Sequence, residues 1–318
     1  MTGRSLEAAD RRLQALRLAM GPVLRAALAD PRVVEVMVNP DGGIWIERAG
    51  EGRGFSGEHM APADAERIMR LLADHVGEVV NRDHPLVSAT LPETGERFQG
   101  VYMPVAMRPS FSIRKRPASV FTLADYVREG VMSELQADIL ARAAGERWNI
   151  LIAGGAGTGK TTLANAILAL PAYVQDRVIL IEDTPELCCS ALDQLPLLTK
   201  RSDPPVAMAD LVRASLRLRP DRIVIGEVRD GSALDMLKAW NTGHPGGLAT
   251  LHANSALEAL SRLEDLIGEV IAQIPRRAIG QAVDLIAFLK RTPGGRVLEA
   301  LVRVEGWSEG AYQVHDAD

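Results

Sequence analysis

Leu6, Leu13, Leu16, Met20, Leu24 and Leu28 fall on one side of a 3.6-residue spiral. They predict a helix over residues 5–29. Its apolar stripe either packs on the helix's own domain or docks on a neighbouring subunit or a membrane surface. Two short apolar runs, 33–39 and 44–47, flank Asn39-Pro40-Asp41-Gly42-Gly43 and predict strands around a turn. Ile68, Leu71, Leu72 and Val76 give helical periodicity over 63–80, and 92–100 and 101–114 read as further strands with turns. The first ~115 residues are therefore expected to form a small α+β unit.

The texture then changes. Residues 117–131 carry Pro117 and Gly130 and no clear strand, so they read as a connector. A helix over 133–145, a buried-type strand over 149–153, a glycine loop, a second helix over 161–170 and a strand over 177–182 follow. Strands alternating with helices imply a mostly parallel sheet covered on both faces. The expected organisation is an N-terminal α+β domain (1–117), a linker (118–131) and an α/β domain (132–318). No internal repeat or low-complexity tract interrupts it.

Composition changes this picture little. The 318 residues are 47% apolar and 24% charged, with 36 Lys plus Arg against 41 Asp plus Glu. This is a globular balance with room for two cores. A net charge of −5 argues against coating DNA or anionic lipid by bulk charge. Cys188 and Cys189 are adjacent, a poor geometry for a structural disulfide, and too few for a four-cysteine zinc site. They read as reduced thiols filling space in a cytosolic protein. The longest stretch without a charged residue, 239–257, holds Asn241, His244, Pro245 and three glycines, so no membrane span is expected. The N-terminus has arginines but no apolar core of a secretory signal.

The strongest chemistry is Gly154-Gly155-Ala156-Gly157-Thr158-Gly159-Lys160-Thr161, a match to G-x-x-x-x-G-K-[ST]. This composition would produce it by chance about 0.003 times per chain. Glycines let backbone N–H groups approach phosphate oxygens, and the helix beginning near Lys160 adds its positive end. Residues Gly155 to Thr162 are the expected cradle for ATP. Lys160 reaches the β- and γ-phosphates and the Thr161 hydroxyl holds Mg²⁺.

Hydrolysis also needs a carboxylate facing the γ-phosphate. Two apolar runs, 178–181 and 223–225, lead to Glu182-Asp183 and Gly226-Glu227. In a parallel sheet both deliver acids to the C-terminal edge, where ligands bind. Either Glu182 or Glu227 can polarise the attacking water, the other holding Mg²⁺ through water. Gly226 stands where the usual second phosphate motif has Asp.

Three further segments resemble the secretion and pilus traffic ATPases. Residues 182–187 resemble their acidic box, 219–229 their variant second phosphate motif with its Gly-Glu, and 242–254 their histidine box, all in the family's order. The run 34–39, together with Ser112-Ile113-Arg114-Lys115, is similar to the type IV secretion branch, its conjugative-transfer members above all. The resemblance implies a RecA-like ATPase domain and an N-terminal domain lying across the nucleotide. It also implies a hexameric ring on the cytoplasmic face of the inner membrane, in contact with secretion-channel components. Carried over by position, Lys160, Thr161 and Thr162 contact phosphate and Mg²⁺, and Glu182 and Glu227 are the functional carboxylates. His252 senses the γ-phosphate, and Arg97 and Arg114 reach the nucleotide. The expected function is an ATP-hydrolysing motor for conjugative transfer or type IV secretion, driven by domain rotation. A nucleotide-gated docking scaffold and a RecA-like DNA translocase are the alternatives. Aromatics at 4% and the acidic balance count against stable nucleic-acid binding. Arg213, Arg217, Arg219, Arg222 and Arg229 are either a source of an intersubunit arginine or a solvated face paired with Asp203, Asp210, Asp221 and Asp230.

Overall fold

Alternation of buried and half-buried positions through Val36, Val38, Ile44 and Ile46 builds the N-terminal sheet. The computed structural model describes residues 3–115, 121–200 and 203–317, with side chains from Asp10 onward. The chain divides into two compact units, Met1–Ala118 and Ser119–Asp318.

In the first unit α1 (Gly3–Ala29) precedes β1 (Val33–Val38), β2 (Gly43–Arg48) and β3 (Gly52–His59). Then come α2 (Pro62–His75), β4 (Leu86–Thr90), β5 (Arg97–Val101) and β6 (Ser110–Arg114). The strands form one antiparallel sheet in the order β3-β2-β1-β6-β5-β4. Leu16, Met20 and Leu24 of α1 join Ile68 and Leu72 of α2 and Phe98 and Ile113 of the sheet in one core. That portion of the α1 stripe packs on its own domain; Leu6 lies outside the described side chains. Gly21, at φ +66 and followed by Pro22, kinks the helix.

In the second unit the segment expected as a connector contains α3 (Leu123–Arg128). Thr122 and Asp125 form a reciprocal capping box, and Leu123 and Tyr126 are buried, so local capping and core contact order it. Next come α4 (Glu134–Gly145), β7 (Ile150–Gly154), α5 (Lys160–Leu168), β8 (Arg177–Glu182), β9 (Asp193–Leu198), α6 (Met208–Ser215) and β10 (Arg222–Val228). The chain continues through α7 (Ser232–Asn241), β11 (Leu248–Leu251), α8 (Ala256–Gly268), α9 (Arg276–Ala282), β12 (Leu285–Thr292), β13 (Gly295–Ser308) and β14 (Ala311–Asp316). The sheet order is β14-β13-β12-β7-β11-β10-β8-β9, parallel from β12 through β9, with β13 and β14 added antiparallel. The fold is thus α/β, a mostly parallel sheet preceded by a smaller α+β domain.

Burial on both faces explains the continuous apolar strands. Leu151, Ile179 and Ile223 point into a core with α6 to α9, while Ile150, Ile152, Val178 and Leu180 point into another with α3 to α5. Among the described residues no helix is long and apolar enough to cross a membrane. Cys189 is half-buried against the second core and burial raises its thiol pKa; Cys188 is exposed, so only Cys189 fills space.

Candidate nucleotide site

The phosphate loop joins the C-terminal end of β7 to the first turn of α5. Its first glycine is fixed by close packing: a Cβ on Gly154 would lie 2.4 Å from the Leu289 carbonyl oxygen of β12. Gly157 and Gly159 have φ of +68° and +95°, where a side chain is disfavoured. Lys160 is only 7% exposed. Its ammonium donates to the carbonyls of Gly154 (2.9 Å) and Gly155 (3.0 Å) and lies 3.3 Å from His252 Nδ1. Burial lowers its pKa, and the nearby Glu227 carboxylate opposes that shift. Thr158 donates to the Gly155 carbonyl, bracing the loop. Ala156 is exposed, and Thr161 and Thr162 are half-buried at the start of α5.

The acids arrive on neighbouring strands. Glu182 ends β8 and is 4% exposed. Its Oε1 accepts from the backbone N–H groups of Glu186 and Leu187, both at 2.8 Å. The carboxylate thereby ties down the loop that follows it. Glu227 lies near the end of β10, where pairing with β11 shifts between Ile225 and Val228. Such an irregularity re-aims a side chain. Gly226 acquires a physical reason here, since a Cβ would come 3.0 Å from Glu182 Cγ. An Asp in its place would collide with the neighbouring strand's acid.

His252 follows β11 directly, and its Nε2 lies 2.7 Å from Glu227 Oε1. Burial, reinforced by the charge of Lys160, lowers the imidazole pKa, so the ring is neutral at pH 7. Lysine, histidine and glutamate form one electrostatic chain from the start of α5 past the end of β11 to β10. Glu227 Oε2 also pairs with Arg229, which lies 3.8 Å from Asp183. Glu227 Oε1 is buried without an aligned hydrogen bond, so the acid retains an acceptor for a water or for a hydrated cation. With the Thr161 hydroxyl, this donor set fits Mg²⁺. Beyond Glu227 and Arg229 opens a cleft of about 350 Å³, whose walls include Asp183, Thr199, Met208 and Asp230.

The arginines separate by place. Arg97 and Arg114 face each other across β5 and β6 in the first unit. Arg213 pairs with Asp210 and Asp235. Arg222 matches neither sequence expectation: it is 2% exposed, bonds Asp176 at 2.6 Å and lies 4.3 Å over the Tyr173 ring. Asp221 and Asp230 accept from backbone N–H groups of Arg177 and Ser232, and neither has an arginine ion pair among the described residues. His244 precedes β11, at the opposite end of that strand from His252.

Asn165 is a structural brace beside the site that motif reading misses. It is 5% exposed on α5. Its amide donates to the Glu186 carbonyl (3.0 Å) and accepts from Cys188 N–H (2.9 Å). The second half of the acidic box and the residues after it, 185–190, have no regular secondary structure. Asn165 and Glu182 hold them against the phosphate-loop helix. Asn165→Ala is expected to cost about 1–3 kcal/mol by orphaning two backbone groups, read as a lower urea midpoint at unchanged m-value.

Residues 63–291 match the family described as type II/IV secretion system protein. The probable conjugal transfer protein TrbB of Sinorhizobium fredii is 46% identical, over 97% of this chain and 94% of its own length. The conjugal transfer protein TrbB of Rhizobium radiobacter is 44% identical, over 97% and 95%. In fold, the chain resembles the pilus retraction motor PilT solved with bound ADP, at a TM-score of 0.62 and 20% identity, covering 93% of this chain and 82% of that one. With the phosphate loop, the Gly-Glu strand and the histidine box in family order on a matching sheet, the chain belongs to the type II/IV secretion system protein family.

Proposed function

We propose that this chain is a Mg²⁺-dependent ATPase that powers type IV secretion in conjugative transfer. The observation that carries the reading is the chain Lys160–His252–Glu227, at 3.3 Å and 2.7 Å, beside a glycine loop at the ligand edge of a parallel sheet. The β- and γ-phosphates of ATP replace the Gly154 and Gly155 carbonyls as partners of Lys160. Backbone N–H groups of the loop and of Thr161 and Thr162 complete the cradle. Bound Mg²⁺, on the Thr161 hydroxyl and a water held by Glu227, would neutralise charge developing on the phosphates.

Glu227 orients a water for in-line attack on the γ-phosphorus and takes its proton. The bond to the β–γ bridging oxygen breaks, releasing ADP and phosphate. When Lys160 turns to phosphate, its hold on His252 Nδ1 loosens, so the neutral imidazole reports occupancy. Glu182 acts mainly by fixing the acidic box. Arg97 and Arg114 serve as the N-terminal unit's phosphate ligands, a role that rests on the family resemblance and suits the guanidinium fork. The working form is a hexameric ring at the cytoplasmic face of the inner membrane, coupled to channel components, and domain rotation transmits the cycle.

The test is conjugative transfer from a donor whose own copy is replaced by Glu227→Gln, at matched protein level. The motor reading expects transfer to be lost. Transfer at the wild-type frequency overturns it in favour of an assembly scaffold.

A further inference from the structure

The cations around the phosphate loop are mostly committed. Lys160 donates to loop carbonyls and Arg229 pairs with Glu227. Arg296, at the start of β13, is different. Its Nη1 lies 3.2 Å from where a Cβ on Gly159 would be, and its Cδ and Cζ lie 3.5 and 3.7 Å from the same point. The guanidinium is therefore laid over the last loop glycine before the lysine. A Cβ at Gly159 would press on it, so the guanidinium would have to give by a few tenths of an ångström. Arg296 is exposed. It has no ion pair or hydrogen bond among the described residues, although Tyr126 is close enough to feel its charge.

The hairpin adds a second observation. Arg291 and Arg296 stand directly opposite one another in the β12–β13 register. Neither has an acidic partner among the described residues, whereas the neighbouring Lys290 is paired with Glu299 at 2.6 Å. Two opposed guanidiniums at a strand end destabilise a ladder unless an anion shares them.

Sheet order says which part of the nucleotide this is. β12 flanks β7 on one side and β11 and β10 on the other, and Leu289 of β12 is in register with Gly154. His252 and Glu227, which face the γ-phosphate in the proposed function, come from β11 and β10. Arg296 therefore stands on the opposite flank of the loop, away from the hydrolytic end.

We infer that Arg296 is a nucleotide ligand that grips the α-phosphate and ribose end of ATP and keeps that grip on ADP. This inference rests on the proposed function of the loop. A guanidinium fork suits phosphate oxygens and stays charged at every relevant pH. A contact at the α-phosphate is made equally before and after γ-phosphate cleavage, so it sets affinity rather than rate.

The experiment is calorimetric titration of the full chain with Mg·ATP and Mg·ADP, beside steady-state hydrolysis. Arg296→Ala is expected to weaken both nucleotides by a similar factor, about tenfold to a hundredfold, with kcat at saturating ATP within about twofold of wild type. Arg296→Lys keeps the charge and loses the fork, so its affinities should fall between the two. The residue is exposed, and a Tm of the free protein no lower than wild type checks that folding is intact. Affinities within twofold of wild type in Arg296→Ala overturn the inference. So does weakening of ATP alone, because that places the residue at the γ end. Wild-type chain that takes up neither nucleotide overturns the reading of the loop itself, and this inference with it.

Discussion

Glu227→Gln is expected to bind Mg·ATP and hydrolyse it about a hundredfold to ten-thousandfold more slowly than wild type, the range a positioned general base supplies. The amide keeps the size of the side chain but loses the charge that orients and deprotonates water. His252 is neutral at pH 7, its pKa lowered by burial, so it supplies no negative charge in place of the lost carboxylate. The comparison variant is Glu182→Gln. Glu182 Oε1 is already held by two backbone N–H groups, and the oxygen of glutamine accepts the same bonds. Its hydrolysis rate should therefore stay within about tenfold of wild type. Single-turnover hydrolysis of radiolabelled ATP measures both. A Glu182→Gln defect equal to that of Glu227→Gln would assign the water to the other strand.

Asp176→Ala should be the most damaging change away from the loop. Arg222 is 2% exposed, with bonds to Asp176 Oδ2 (2.6 Å) and the carbonyls of Ala144 (2.9 Å) and Ala172 (3.2 Å). Removing the carboxylate leaves a buried guanidinium without its counter-charge. Breaking one side of such a pair costs about 3–5 kcal/mol. Arg147 also pairs with Asp176 but its side chain is 40% exposed, so Arg147→Ala should cost no more than about 1 kcal/mol. Urea denaturation of the three proteins separates these outcomes. Equal losses from the two variants would mean that the buried pair is not the anchor.

Much of the fold was legible because motif and periodicity agree. The apolar runs before Gly154, at 178–181 and at 223–225 are strands buried on both faces, and their pattern shows directly in composition. The N-terminal helix was readable for the same reason, since Leu16, Met20 and Leu24 are its buried side. β3 was not readable. Its Gly52-Arg53-Gly54-Phe55 run has no apolar alternation and is mostly exposed, resting on its ladder to β2 and the Trp45–Phe55 ring contact. α3 was hidden because its stability comes from a capping box and two buried side chains in only 6 residues. The antiparallel β13 and β14 went unanticipated, since an alternating β/α pattern says nothing of a hairpin added at the sheet's edge.

The site divides in the same way. Motif spacing points to Lys160, the apolar runs ahead of them point to Glu182 and Glu227, and the family resemblance points to His252; Lys160, His252 and Glu227 meet within hydrogen-bond or ion-pair distance. Asn165 escapes because its partners, Glu186 and Cys188, are remote in sequence, and Arg296, inferred above as a nucleotide ligand, because it belongs to no motif. The five clustered arginines looked alike along the chain. Burial makes Arg222 a core anchor, while Arg229 joins the acids of the site.

The central claim is that the glycine loop and Lys160 bind the triphosphate and Glu227 acts on it only afterwards. Calorimetric titration of Mg·ATP into Glu227→Gln and into Lys160→Ala tests this most directly. Saturable binding to the first and loss of binding in the second is the predicted result. No heat from Glu227→Gln at millimolar ATP, or an undiminished affinity in Lys160→Ala, would contradict it.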